Sequence, residues 1–216
     1  MTTIGTLYGY WRSSCSWRVR IALQYKGLSV KHHSVHLVKD GGAQFLPSYA
    51  NLNPMHQVPA LELLDGTILT QSIAILEYLE ESYPSPPLLP EVPNHRAQVR
   101  QIVEIINSGI QPLQNLALLN YFSANNIDRL AFAKSSIEKG LQSIVEVLPN
   151  HTGPFLFGEM MTLADCCLIP QLYNAKRFNC NLEGLERLLM VEQHCQSLPF
   201  FQGAHPNRQQ DAVVEK

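Results

Sequence analysis

The sequence predicts an α/β unit followed by an all-helical one, and three observations lead there. Residues 1–83 alternate β-prone stretches with an amphipathic segment and close on a hairpin signal. Tyr83 to Pro93, YPSPPLLPEVP, carries five prolines and can sustain neither a helix nor a central strand. Beyond it, apolar residues recur only at helical spacing. The expected boundaries are residues 1–83 for the first domain, 84–93 for a linker and 94–216 for the second domain.

Thr6 to Tyr10, TLYGY, reads as a first strand, and the serine-rich tip after it leads into SWRVRIALQYKG. There Trp17 and Ile21 fall at i,i+4, as do Val19 and Leu23, while Arg18, Arg20 and Gln24 stay polar and Gly27 offers a left-handed stop. Leu28 to Leu37 is a second strand whose alternation slips near His33 and Ser34. Ala60 to Leu64 and Thr67 to Thr70 flank Asp65-Gly66, the dipeptide of tight type I′ hairpin turns. From Gln71, Ile73, Leu76, Leu79 and Tyr83 keep helical spacing with Glu77, Glu80 and Glu81 outward, until Pro84 ends the pattern. The first unit is therefore βαβ(α)ββα.

After the linker, Asn94 to Phe122 reads as one long helix bent at Pro112, where a proline removes a hydrogen bond and collides with the preceding turn. Ile137, Leu141, Ile144 and Leu148 line another helix. Thr162 and Asp165 form a capping box at the head of TLADCCLIPQL, a helix apolar enough to be buried. A last helical stretch runs from about Glu183 to Cys195, and the tail from Pro206 reads as frayed. There are no internal repeats.

With a formal charge of -2 and interspersed signs, the chain has no basic stripe for phosphates and no polybasic membrane patch. Nucleic acid and membrane are not expected partners. No run of about 18 apolar residues exists, and MTTIGTLYGYW lacks the plan of an export leader. A soluble, cytoplasmic protein is expected. Cys15, Cys166, Cys167, Cys180 and Cys195 show no CxxC pair and no metal-type spacing, which fits reduced thiols. His32, His33 and His36 have no carboxylate or cysteine at ligand spacing, so no metal is assigned.

The tip RSSCSWRVR raises the question of function. A helix start leaves backbone N–H groups without partners and carries about half a positive charge, so it favours an anion. Ser13, Ser14 and Ser16 add hydroxyls around Cys15. A phosphate is disfavoured because no glycine stands between Gly9 and Gly27. A dithiol centre is disfavoured because Arg12 and Arg18 occupy the positions three residues from Cys15. The thiolate of Cys15, the thiolate of a bound cofactor, and plain serine capping with no ligand remain.

RSSCSWRVRIAL, LNPMHQVPALEL, DGTILTQSIAILEYLEE, GIQPLQNLALL, TLADCCLIPQL and NAKRF together resemble the zeta class of glutathione transferases. The resemblance runs from Leu7 to about Asp211, with departures in the first residues, in the extra residue of ELLDG and in the tail. It implies a thioredoxin-like amino-terminal domain, an all-α carboxyl-terminal domain, glutathione as cofactor bound between them, and a homodimer. The Val58–Pro59 bond is then expected to be cis, with the backbone of Val58 pairing with the cysteinyl part of glutathione.

The implied catalytic residues are Ser13, Ser14 and Cys15, with Ser13 first by motif position and Cys15 in support. The implied glutathione contacts are Ser13, Ser14, Cys15, Ser16, Trp17, Arg18, Gln44, Val58, Gln71, Ser72, Gln111, Asn115, Leu116 and Ala117. In that set Gln71 and Ser72 receive the γ-glutamyl carboxylate at a helix start, and Gln44 meets the glycyl end. Arg177, in NAKRF, and Arg12 are the implied cations for a small anionic enone. A free thiol near pKa 8.5 is a few per cent ionised at neutral pH. A helix start gives ~0.5 to 1 kcal/mol and one hydrogen bond to charged sulfur ~1.5 to 3 kcal/mol, together roughly two pKa units.

The implied reaction is the cis-trans isomerisation of maleylacetoacetate to fumarylacetoacetate in phenylalanine and tyrosine catabolism. Thiolate addition, rotation and elimination would return glutathione unchanged. A general glutathione transferase acting on electrophiles or small α-haloacids would use the same site. A noncatalytic transferase-like interaction domain is a third reading, against which the intact SSCSWR tip argues.

Overall fold

The computed structural model describes residues 2–125, 127–149 and 152–213. The chain divides into two compact units, Met1–Pro87 with Ser197–Lys216, and Leu88–Gln196. The first carries β1 (Thr2–Gly9), α1 (Ser14–Tyr25), β2 (Leu28–Ser34), α2 (Pro47–Ala50), β3 (Ala60–Leu63), β4 (Ile68–Thr70) and α3 (Ser72–Ser82). The sheet order is β2-β1-β3-β4, with β1 parallel to β2 across the α1 crossover and both later pairs antiparallel. This is the thioredoxin-like α/β arrangement that the resemblance implied.

Helix α1 is buried almost all round. Trp17, Val19, Ile21, Ala22 and Leu23 are buried, and so are Arg18 and Arg20. Gly27 takes the left-handed φ of 65° just past its end. The hairpin departs from the expected type I′ turn: Gly66 N–H donates to Leu63 O at 3.0 Å, Gly66 has φ 85°, and Asp65 is not left-handed. Leu64, Asp65 and Gly66 thus form a three-residue loop of a type I turn plus left-handed glycine, which accommodates the extra residue of ELLDG. On α3 the core face is Ile75, Leu76 and Leu79, and Glu80 is buried instead of pointing outward. The reason is a cation: Lys26 Nζ lies 2.8 Å from Glu80 Oε2, with both side chains out of solvent.

The second unit contains α4 (Pro93–Glu104), a π-helical turn (Ile105–Ile110), a 3-10 turn (Gln111–Gln114), α5 (Leu116–Ala124), α6 (Arg129–Val147), α7 (Leu163–Arg177) and α8 (Glu186–Ser197). The single bent helix expected from Asn94 to Phe122 is therefore several pieces. Pro112 sits in the first turn of the 3-10 segment, where its missing N–H costs nothing, and the break falls at Asn115 with ψ 143°. Asn115 Oδ1 accepts from Ala117 N–H at 3.0 Å and so caps α5. Helix α7 is buried along most of its length, with Cys166 and Cys167 among its core side chains. Its capping box forms as the sequence predicts, with Asp165 Oδ2 accepting from Thr162 N–H at 2.7 Å and from the Thr162 hydroxyl at 2.9 Å.

The proline-rich stretch is pinned. Lys26 Nζ donates to the carbonyls of Tyr83 and Pro86 at 2.8 Å each, while in the second unit Leu163 N–H donates to Leu88 O at 2.9 Å. Nor is the stretch from Pro206 loose through its described residues. After α9 (Pro199–Ala204) the chain packs on α1, Pro206 is buried, and Asp211 bonds to Trp11 and Ser34. Residues 197–213 thus belong with the first unit rather than the helical one, because α1 offers them an apolar flank and buried hydrogen-bonding groups.

Candidate functional site

Strand β1 delivers the tip. It ends at Gly9, where an added Cβ would sit 3.1 Å from Ser16 Oγ, a tight contact that would press Ser16 aside by a few tenths of an ångström. Ser16 is fully buried, and its Oγ accepts from Tyr10 N–H at 3.4 Å. Ser13 is the N-cap of α1, its Oγ accepting from Ser16 N–H at 3.2 Å while its own N–H donates to Tyr10 O at 3.0 Å. The N–H groups of Ser14 and Cys15 keep no hydrogen bond among the described residues. The Ser13 hydroxyl proton is not consumed by the cap. Ser13 and Cys15 are partly exposed, whereas Ser14 is 8% exposed. The tip is an anion-accepting helix start with one hydroxyl and one thiol open to solvent.

Trp17 and Arg18, like Ser16, are implied contacts that turn out to be interior. Trp17 is buried edge-on to His205, ring centroids 5.2 Å apart. Arg18 is wholly buried, and its Nη1 donates to Ser72 Oγ at 3.2 Å, joining α1 to the first residue of α3. Gln71, exposed and just before α3, adopts φ 68°. The start of α3 is thus a second anion-accepting position, with a buried guanidinium behind its first hydroxyl.

The Val58–Pro59 bond is cis. Val58 packs with Tyr10, Trp11, Val35, Tyr49 and Ala60, which places it beside the residues preceding the tip. Because β3 begins at Ala60, the Val58 N–H and C=O lie outside the ladder and have no hydrogen bond among the described residues. The loop before it is held by Tyr49 Oη and Asn53 Nδ2, which donate to Gln57 O at 2.5 and 2.6 Å. Gln44 is buried, donates through Nε2 to Leu37 O at 3.2 Å, and leaves its Oε1 without a partner among the described residues. Arg12 stands 5.2 Å over the Trp11 ring.

In the second unit Gln111 opens the 3-10 turn and Asn115, Leu116 and Ala117 follow at the start of α5, with Leu116 and Ala117 exposed. Arg177 is exposed near the end of α7, its Nη1 3.4 Å from Asn174 Oδ1.

Sequence reasoning missed Arg20 and Asp211. Arg20 donates to the carbonyls of Ala204, Tyr10 and Trp11, and burial pushes its guanidinium down to about 10, with Asp211 opposing that shift. The overlooked signal was in the helix: Trp17, Val19, Ile21, Ala22 and Leu23 bracket both arginines, so the apolar residues are spread over more than one face and an interior helix follows.

Residues 7–87 match the family model for the glutathione S-transferase N-terminal domain. A maleylacetoacetate isomerase of Dictyostelium discoideum is 45% identical over 209 residues, covering 95% of each chain. The holo structure of a bacterial maleyl pyruvate isomerase, described as a zeta-class glutathione S-transferase, superposes with TM-score 0.91 at 36% identity over 96% of this chain and all of that one. The chain belongs to the zeta class of glutathione transferases. Among solved structures, the maleylacetoacetate isomerase of Anaeromyxobacter dehalogenans, with glutathione in its active site, matches at TM-score 0.88 and 43% identity over 99% of this chain and 100% of that one. The same protein has also been seen with dicarboxyethyl glutathione and citrate bound.

Proposed function

We propose that this zeta-class chain catalyses the glutathione-dependent cis-trans isomerisation of maleylacetoacetate to fumarylacetoacetate, the reaction named for its relatives. The observation that carries the reading is the tip. Ser13 caps α1 through its oxygen and keeps its proton, beside two helix-start N–H groups without internal partners. Those groups fit a sulfur anion. The bare Val58 backbone fits an extended cysteinyl peptide, and the α3 start, backed by Arg18, fits a carboxylate. Bound glutathione supplies a sulfur nucleophile that adds to the double bond, lets it rotate and leaves again.

The chain's own residues then divide the work. Ser13 donates its hydroxyl proton toward the sulfur position and, with the α1 start, keeps that sulfur ionised near neutral pH. Cys15 stands next to it in support. Ser14, mostly buried, acts through its N–H. Ser16 and Trp17 hold the turn from inside, and Arg18 polarises Ser72 at the γ-glutamyl end. Gln44 serves the glycyl end, and Gln111, Asn115, Leu116 and Ala117 the further glutathione contacts. Arg177 and Arg12 take the carboxylates of an anionic enone, a chemistry supported by the citrate and dicarboxyethyl glutathione bound to the Anaeromyxobacter relative. We further propose that the protein works as a cytoplasmic homodimer in phenylalanine and tyrosine catabolism, residues 1–83 forming the glutathione-binding domain and the helices of 94–196 the substrate domain, which the expected boundary had extended to 216.

The test is to follow maleylacetoacetate with purified protein, with and without glutathione, while titrating free thiol. Isomerisation that requires glutathione and leaves the thiol titre constant is expected. Stoichiometric thiol loss would overturn the isomerase reading in favour of a conjugating transferase.

A further inference from the structure

One peptide unit immediately before the tip is gripped at both ends by opposite charges. The carbonyl of Tyr10 accepts from Arg20 Nη1 at 3.5 Å and from Ser13 N–H at 3.0 Å. The N–H of Trp11, the other half of that peptide, donates to Asp211 Oδ2 at 3.1 Å. A cation on the oxygen and an anion on the N–H match the peptide dipole, and because the unit is planar the two contacts together define its orientation. Arg20 Nη2 also holds the next carbonyl, Trp11 O, at 2.9 Å. Asp211 is itself aimed by Ser34, whose Oγ donates to the same Oδ2 at 2.8 Å, and Ala212 packs against the cluster of Tyr10 and Trp11.

Packing alone does not place this carboxylate. Asp211 lines an open cavity of about 230 Å³ together with Arg20, His32, His33, Ser34 and Arg208, so hydrogen bonds fix where it sits. Rotation of the Tyr10–Trp11 peptide would break the Ser13 N–H bond and turn the N-cap away from its helix.

We infer that Asp211 and Arg20 are positioning residues for the reaction, setting the Tyr10–Trp11 peptide so that the Ser13 hydroxyl and the α1 start face the sulfur. This rests on the thiolate-holding role proposed above. Through Asp211, residues 199–213 thereby control how well that tip ionises a thiol.

Asp211→Ala and Asp211→Asn separate geometry from charge. Both remove the negative charge, but the asparagine oxygen can still accept from Trp11 N–H and the Ser34 hydroxyl. Loss of charge alone would make a nearby thiol ionise more easily, the opposite of what misplacement does. The ultraviolet thiolate signal of bound glutathione, titrated against pH, should move up by about one unit in Asp211→Ala, a tenfold loss of thiolate well below that pKa. Turnover at pH 7 should fall about as much and recover at high pH, whereas Asp211→Asn should restore most of both. An unmoved titration in folded Asp211→Ala, or equal upward shifts in Ala and Asn, would overturn the inference. Should Asp211→Ala fail to fold, Ser34→Ala removes one of the two bonds from the exposed side. A smaller upward shift there is expected, and none would overturn it. Ser13→Ala in the same titration keeps the two readings apart, since an unmoved pKa in that variant refutes the thiolate role itself.

Discussion

Replacing Ser13 by alanine removes two interactions at once, and the structure lets them be separated. The Oγ accepts from Ser16 N–H at 3.2 Å as the N-cap of α1, and an N-cap truncated to alanine costs about 1 kcal/mol of stability. The hydroxyl proton is the proposed donor to sulfur, and a hydrogen bond to a charged group contributes ~1.5 to 3 kcal/mol, or about one to two pKa units. Ser13→Ala should therefore melt a few degrees lower, raise the pKa of the bound thiol by about one to two units, and lower turnover at pH 7 by at least about tenfold. Glycine tolerates the N-cap position to within a few tenths of a kcal/mol. Ser13→Gly should thus keep nearly the wild-type melting temperature while losing as much turnover as alanine. The assays are thermal unfolding, ultraviolet titration of the glutathione complex, and turnover from pH 6 to 9. A Ser13→Gly protein with near-normal turnover at pH 7 would refute the assignment, because it would show that capping alone was being measured.

The remaining outcomes follow from other contacts. Arg18→Lys keeps the charge but loses the planar donor to Ser72, so KM for glutathione should rise about tenfold with kcat within about threefold; an unchanged KM would return Arg18 to the core. Arg177→Ala should raise KM for dianionic substrates and leave that for glutathione unchanged, and equal effects on both would refute its role. Lys26→Met leaves the Glu80 carboxylate buried without its cation, a loss of ~3 to 5 kcal/mol in denaturant unfolding that Lys26→Met with Glu80→Leu should largely restore. Burial pushes Asp165 up to about 6, so the native state holds its proton more tightly than the unfolded chain does. Its contribution therefore falls as pH rises from about 4 to 6 and is level above that. Urea midpoints of wild type and Asp165→Asn should shift in favour of the variant over that window; parallel midpoints would show that folding leaves the Asp165 carboxyl at its ordinary value.

The order of elements was legible because each has its own periodicity or punctuation: the hairpin, the capping box at Thr162 and the helical spacing of Ile137, Leu141 and Ile144 all stand in the structure. What escaped is what long-range pairing decides. Glu80 looks like a surface residue until Lys26, 54 residues earlier, is seen to be its partner. The break at Asn115 depends on the π-helical and 3-10 turns before it, which no 3.6-residue pattern announces. At the site, the tip could be read because its residues are consecutive. Arg18 was legible as a position but not as a buried support for Ser72, and Asp211 could not be read at all, since its bond to Trp11 N–H spans 200 residues of chain.

That residues 197–213 complete the first unit bears on how the protein is made. Translation delivers β1 through α3 first, then the helical unit, and only afterwards α9 and Asp211. Until those residues are made, one flank of α1 lacks its cover, Arg20 lacks its Ala204 carbonyl and the Tyr10–Trp11 peptide lacks its Asp211 acceptor. The proposed competence to ionise a thiol therefore depends on a segment that follows the helical unit in the chain, although every residue at the tip itself precedes that unit.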